Sequence, residues 1–175
     1  MPPRELAETL QRAQSALERR PDLGLHDDAP ATARWIEGTR TVASHANGTA
    51  MATDMPAELG GRGDRVTPGW LFRAGLASCA ATSIAMTAAA QRIELTSLEV
   101  RATSRSDTRG LLGMSDAAGE RVSAAPMDVR LHVRIAAQGV DAGCLRALVR
   151  DGCRCSPIPG AVERALPIDV SIDVG

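Results

Sequence analysis

The side chains best suited to chemistry in this chain of 175 residues are its four cysteines. Cys79 stands alone in the middle, and Cys144, Cys153 and Cys155 lie toward the end. A thiolate can attack the O–O bond of a peroxide and become a sulfenic acid, which a second thiol then converts to a disulfide that a dithiol resets. Cys79 is the predicted nucleophile. Cys155 or Cys153, in a predicted loop bounded by prolines, is the predicted second thiol.

A reactive thiolate at Cys79 needs a nearby positive charge. Cys79 lies about three turns inside its predicted helix, where the helix dipole has faded. An arginine must therefore supply the charge, since all twenty basic residues are arginines. The candidates come from the first predicted strand and from a Gly-rich loop: Arg34, Arg40, Arg62 and Arg65.

Two other interpretations of the cysteines stand beside this one. A cysteine on a core-facing helix is often an inert small hydrophobe. A metal site could use Cys144, Cys153, Cys155 and His132, but zinc sites favour paired Cys-x₂₋₄-Cys motifs, and the Cys-x-Cys here has no partner pair. No metal and no bound cofactor are therefore predicted.

Periodicity and turn signals predict the elements that position the first half of the chain. The first twenty residues predict a polar amphipathic helix that ends before Pro21, followed by a linker. β-forming residues predict one strand over 33–44 and a second over 49–54, joined at Asn47-Gly48, a strong hairpin signal. Gly60-Gly61 predicts a flexible loop.

The second half alternates helices and strands. Thr67-Pro68 predicts the start of a helix that runs to about Arg92. Its apolar face is predicted to hold Phe72, Leu76, Cys79, Ser83, Met86 and Ala90. The further predictions are strands over 97–104, 127–135 and 168–174, a helix from Asp141 to Gly152, a loop over 153–159 and a helical turn over 160–166. This order predicts an α+β fold.

Composition narrows the function classes. The net charge of −1 and the dispersed arginines argue against a nucleic-acid partner. The uncharged run Ala74–Gln91 favours a buried helix over a membrane span because it is mostly Ala, Ser and Thr. No signal-peptide pattern is seen, so a cytoplasmic protein without a membrane partner is expected. The chain has only two Trp, one Phe and no Tyr, so few large aromatic side chains are available to fill a core. This favours completion of the core by another chain.

Three segments together resemble the OsmC/Ohr family of osmotically inducible and organic hydroperoxide resistance proteins, with this chain as a divergent member. The first, TDMPAELGGRGDRVTPGWLFRAGLASCAATSIAM, has a Pro before Gly-Gly, a second Pro that opens a helix, and a small-residue run that ends in Cys79. The others are SDTRGLLG and RCSPIPGAVERALPIDVSIDV. The resemblance covers about residues 33–174. The predicted domains are a helix and linker over 1–31 and an OsmC-like domain over 32–175.

The resemblance implies an intertwined homodimer with two central helices against antiparallel sheets. It also implies reduction of hydroperoxides by Cys79 at the interface, with an external dithiol as reductant. Ser156 stands where the family has its resolving cysteine, one residue from Cys155 and three from Cys153. Arg40 corresponds to the activating arginine, while Gly69-Trp70 replace the carboxylate that usually holds it.

An alternative function follows from these departures. The fold would be kept while peroxidase activity is weak or lost, and the dimer interface would bind a small apolar ligand.

Overall fold

The elements of the computed structural model, which describes residues 3–175, agree broadly with the predicted order. In chain order they are α1 (Pro3–Arg19), β1 (Thr32–Glu37), β2 (Arg40–Ser44), β3 (Ala50–Thr53), α2 (Pro68–Ala90), β4 (Leu95–Arg105), α3 (Thr108–Leu111), β5 (Met127–Ala137), α4 (Ala142–Arg154) and α5 (Pro157–Glu163). Short 3₁₀ turns cover Pro21–Gly24 and Ala57–Leu59. Residues 1 and 2 of the predicted first helix lie outside the described part.

The chain forms two compact units. One comprises Thr9–Gly75, and the other comprises the start of α1 through Glu8 together with Leu76–Gly175. The division of the chain into 1–31 and 32–175 stays a prediction.

The unit over Thr9–Gly75 holds an antiparallel sheet in the order β1-β2-β3. The single strand predicted over 33–44 is wrong, because the chain turns at Gly38 and pairs back on itself. Gly38 has φ +52°, a left-handed conformation that a glycine adopts without steric cost. The predicted hairpin at Asn47-Gly48 is confirmed, and its register sets Thr41 opposite Thr53.

The second unit pairs β4 and β5 in an antiparallel sheet. Every second residue of β5 is partly buried, as the alternation in the sequence predicts. The buried centre consists of Ile84 and Ala88 from α2 and Leu148 from α4. Side chains from β4 and β5 pack against this centre, so the two helices cover one face of the sheet. The excursion between β4 and β5 includes the single turn α3.

The predicted helix at Thr67-Pro68 is confirmed, and Thr67 Oγ1 accepts the N–H of Trp70 at 3.2 Å as an N-cap. The predicted apolar face is only partly right, since Leu76 and Ser83 are buried while Met86 is 42% exposed. The small apolar residues of α2 occur on every side of the helix, so periodicity alone did not identify its buried face. Within the described chain, α2 is also the helix long and apolar enough to cross a membrane, a test that the core helix of a soluble protein passes equally.

The predicted helix end at Gly152 is wrong, and so is the predicted loop over 153–159. α4 continues to Arg154, and α5 begins at Pro157, earlier than the predicted turn over 160–166. Gly152 is buried within α4 because this helix approaches α2 closely. A Cβ at Gly152 would lie 2.7 Å from Ile84 Cα. The glycine here allows packing and does not end the helix.

The strand predicted over 168–174 is also absent, since residues 166–175 have no regular secondary structure. Its alternating apolar side chains are exposed: Ile168 89%, Val170 72%, Ile172 79% and Val174 91%. A strand requires a neighbour for its backbone hydrogen bonds, and no described strand pairs with this segment.

Candidate active site

Cys79 lies in the interior of α2 and is partly buried. Its Sγ accepts two hydrogen bonds from the segment that follows α4. Ser156 Oγ donates at 3.2 Å and the backbone N–H of Ile158 donates at 3.4 Å. Both donors would stabilise negative charge on the sulfur.

The chain geometry around Ser156 fixes its hydroxyl. A proline follows, which restricts Ser156 to extended backbone, and its φ of −93° and ψ of 113° agree. Its N–H donates to Cys153 O at 3.1 Å, and its carbonyl accepts the N–H of Gly160, also at 3.1 Å. Ser156 is only 2% exposed. The side chain against Cys79 is therefore held from both neighbouring helices.

Cys155 and Cys153 are placed differently from each other. Cys155 ends α4 with an exposed side chain, and its carbonyl accepts from Ser83 Oγ at 3.5 Å. Cys153 lies inside α4 and packs against the buried centre. Burial, and to a lesser extent the charge of Glu163, raise the pKa of the Cys153 thiol. The roles of both as second thiol stay predictions.

Cys144 is exposed in the first turn of α4. Asp141 caps this helix by accepting the N–H groups of Gly143 and Cys144 at 2.7 and 3.1 Å. The Asp141 carboxylate raises the pKa of the Cys144 thiol, chiefly by accepting a hydrogen bond from the thiol. Among the described residues, no group of three or more Cys, His, Asp and Glu side chains is arranged to hold a metal.

Arg40 belongs to the other compact unit, where it meets a buried carboxylate. The β2–β3 register brings Arg40 across from Asp54, and Arg40 Nη2 donates to Asp54 Oδ2 at 3.0 Å. Asp54 also accepts from Thr39 Oγ1 at 2.6 Å and from the N–H groups of Met55 and Arg62 at 2.8 and 3.1 Å. These donors, Thr39 first, hold the pKa of Asp54 well below its usual range.

Asp64 is a second acidic partner of Arg40, through the same Nη2. The hydrogen bond to Asp54, more than any other contact, raises the pKa of Arg40. Arg40 Nε is buried without a hydrogen-bond partner in the described part of the chain. The two carboxylates were missed at the sequence level, where Gly69-Trp70 suggested that Arg40 had lost its acidic partner. The Asn47-Gly48 hairpin signal could have indicated Asp54 as a partner of Arg40. A shift of one residue in the strand register, however, would place another residue opposite Arg40.

The loop predicted at Gly60-Gly61 is confirmed, and it folds against this centre. A Cβ at Gly61 would lie 1.7 Å from Met55 O, so only glycine fits there. Together with Arg40 and Asp54, the loop lines a pocket of about 210 Å³.

The fold and the site together define an α+β protein with a hydrogen-bonded, partly buried cysteine on its long helix α2. The chain belongs to the OsmC family, since the family model described as "OsmC-like protein" matches residues 61–171. The resemblance deduced from the sequence is confirmed, and so is the α+β fold. No curated protein sequence matches the chain.

Solved structures show the same fold. An OsmC-like protein from Mycoplasma pneumoniae has 16% identity and a TM-score of 0.64, with 79% of this chain and 89% of that chain covered. An organic hydroperoxide resistance protein from Elizabethkingia anophelis with thiocyanate bound has 21% identity and a TM-score of 0.60, over 79% and 89% of the two chains. One from Legionella pneumophila, described as a predicted redox protein, has 23% identity and a TM-score of 0.55, over 79% and 90%.

Proposed function

We propose that the protein is a thiol peroxidase that reduces organic hydroperoxides through Cys79 in defence against oxidative stress. The observation that carries the proposal is the pair of donors on Cys79 Sγ, Ser156 Oγ and the Ile158 N–H. These contacts fix the Cys79 sulfur beside two hydrogen-bond donors, where it is placed to attack an O–O bond. Structural neighbours named as organic hydroperoxide resistance proteins support the choice of substrate.

The proposed first step transfers an oxygen atom from the peroxide to the Cys79 sulfur. The Cys79 thiolate attacks one peroxide oxygen, the O–O bond breaks, and the other oxygen leaves as an alcohol after it takes up a proton. The sulfur becomes a sulfenic acid, so two electrons pass from Cys79 to the peroxide. Arg40 is proposed as the activating arginine on the family resemblance. Its two carboxylate partners support a fixed position for its guanidinium.

Consumption of an organic hydroperoxide tests the proposal directly. Cumene hydroperoxide with a dithiol reductant is compared between the wild type, Cys79→Ser and the matched control Cys144→Ser, whose thiol lies at the exposed start of α4. We expect the wild type and Cys144→Ser to consume peroxide at equal rates and Cys79→Ser to lose activity. Consumption that survives in Cys79→Ser would show that another group does the chemistry.

We also propose a homodimer in the cytoplasm. The C-terminal segment, residues 167–174, alternates apolar with polar residues and exposes all four apolar side chains. Such a pattern is that of a half-buried strand, so a second copy of the chain is the proposed neighbour that covers it.

A second candidate function is binding of a small apolar acid with little or no peroxidase activity. A groove of about 590 Å³ between β5 and α4 favours it. Val133, Ile135 and Val149 give the groove an apolar floor, and Arg146 and Arg150 stand on α4 beside it. This volume is in the range of small-molecule sites. A thermal shift with medium-chain carboxylic acids that Arg146→Ala abolishes would support this function, provided that the wild type does not consume peroxide.

A further inference from the structure

The side chain in contact with the Cys79 sulfur is a hydroxyl. Ser156 Oγ lies 3.2 Å from Sγ, is buried, and is fixed by the backbone bonds at the junction of α4 and α5. A sulfenic acid condenses with a thiol to give a disulfide, but a serine hydroxyl has no sulfur to offer. The nearest position for a second thiol is therefore taken by a group that cannot supply one.

The other cysteines of this unit are held by contacts of their own. The N–H of Cys155 donates to the carbonyls of Asp151 and Gly152, while the Cys155 carbonyl accepts from Ser83, so the backbone is held at both polar groups. Its side chain is exposed, whereas that of the adjacent Ser156 is buried. The hydrogen bonds described for Cys79 Sγ at this junction come from Ser156 and Ile158, not from Cys155.

Cys153 and Cys144 are also poor partners. Cys153 packs against the buried centre, which raises the pKa of its thiol and disfavours the thiolate that would attack a sulfenic acid. Cys144 lies nine residues before Cys153 on the same helix, about 13 Å along its axis. The raised pKa values of both thiols disfavour the thiolate that would attack an oxidised Cys79, and neither side chain is among the described hydrogen-bond partners of Cys79.

We propose that oxidised Cys79 is reduced by a small thiol from solution, without a resolving cysteine of its own chain, and that Ser156 is the positioning residue that holds the reacting sulfur. This inference rests on the proposed peroxidase function. The attacking thiol forms an S–S bond to Cys79, and the sulfenic oxygen leaves as water. A second molecule of the thiol attacks that mixed disulfide, which releases the oxidised small disulfide and restores the Cys79 thiol.

Covalent trapping of the intermediate tests the reductant. Reduced protein receives less than one equivalent of cumene hydroperoxide and then glutathione as the probe thiol, and peptides are mapped by mass spectrometry. We expect a sulfenic acid on Cys79 before the thiol is added and a glutathione mixed disulfide on Cys79 afterwards. A Cys79–Cys155 or Cys79–Cys153 disulfide before thiol addition would overturn the inference and leave the proposed function intact.

Matched variants distinguish a failure of the proposed reductant from a failure of the proposed peroxidase function. The double variant Cys153→Ser/Cys155→Ser should keep glutathione-dependent turnover, and a loss of turnover would contradict the inference. Ser156→Cys should form an intrachain disulfide with Cys79 on oxidation and thereby exclude the glutathione adduct. Absence of that disulfide would show that residue 156 does not occupy the resolving place. Failure of the peroxidase function itself appears separately, as peroxide consumption that survives in Cys79→Ser.

The positioning role of Ser156 has its own test. Ser156→Ala removes the hydroxyl donor, and we expect single-turnover oxidation of Cys79 to slow roughly tenfold, the usual worth of a hydrogen bond to a charged group. Ser156→Thr keeps the hydroxyl and should restore most of that rate. An alanine variant that reacts at the wild-type rate, or a threonine variant as slow as alanine, would remove Ser156 from this role.

Discussion

Substitution of Gly152 by alanine gives a sharp test of how the cysteine site is held. Gly152 of α4 lies directly against Ile84 of α2, four residues before Ser156. A Cβ there would lie 2.7 Å from Ile84 Cα, 2.9 Å from its Cγ1 and 3.1 Å from its N. Two of these atoms are backbone and cannot swing aside, so the helices must move apart to admit the methyl group.

The expected magnitude combines two opposing effects. Overpacking of this kind typically costs about 1–3 kcal/mol. The helix propensity of alanine over glycine returns about 1 kcal/mol. Because the clash is with backbone, the cost lies toward its upper end, and Gly152→Ala should destabilise the protein by about 1–2 kcal/mol. Gly160 in α5 is the matched control, since a Cβ there would meet nothing within 4 Å. Gly160→Ala should instead be neutral or stabilising by up to about 1 kcal/mol.

Urea unfolding of both variants at one fixed protein concentration measures the effect. Holding the concentration constant matters because any self-association contributes to apparent stability. We expect the midpoint to fall for Gly152→Ala and to stay or rise for Gly160→Ala. Gly152→Ala should also slow peroxide reduction, because displaced α4 carries Ser156 away from Cys79. Equal stability of Gly152→Ala and wild type would refute the packing argument.

Three further predictions concern charge and the C-terminal segment. Because contacts in the folded state lower the pKa of Asp54, its contribution to stability is complete above about pH 4 and is lost as the pH falls below that. Asp54→Asn should therefore lower stability at neutral pH and flatten the loss in acid, as followed by urea unfolding against pH; a parallel loss in both proteins would contradict this. Asp141→Asn removes the carboxylate that raises the pKa of Cys144, so iodoacetamide should label Cys144 faster while labelling of Cys155 stays constant. If the proposed homodimer forms through this segment, deletion of residues 167–175 should lower the molar mass measured by light scattering from that of a dimer to that of a monomer, and an unchanged molar mass would exclude the segment from the interface.

Local signals in the sequence were sufficient for several elements. Thr67-Pro68 marked the start of α2, Asn47-Gly48 marked the hairpin, and Asp141 marked the cap of α4. Each is a short-range effect that needs only a few neighbouring residues. Gly152 failed as a signal of the same kind because a glycine can end a helix or admit a close neighbour, and only the position of Ile84 distinguishes the two.

The C-terminal segment shows the opposite case. Its strict alternation of apolar residues predicted a strand, yet the segment pairs with none of the strands in the described part of the chain and has no regular structure. Strand formation depends on a neighbour that the local sequence does not specify. The alternation therefore predicts which side chains would be stabilised by burial, but it does not identify the surface that covers them.

The sequence by itself determined the order of most elements, the family, and Cys79 as the candidate nucleophile, because these depend on residue types, spacing and local backbone preferences. Tertiary structure alone decided which side chain meets the sulfur of Cys79 and which carboxylates hold Arg40. Ser156 lies 77 residues from Cys79, and Asp64 lies 24 from Arg40. Contacts at such separations depend on the packing of helices and the register of strands, and a shift of one residue exchanges a buried hydroxyl for an exposed thiol.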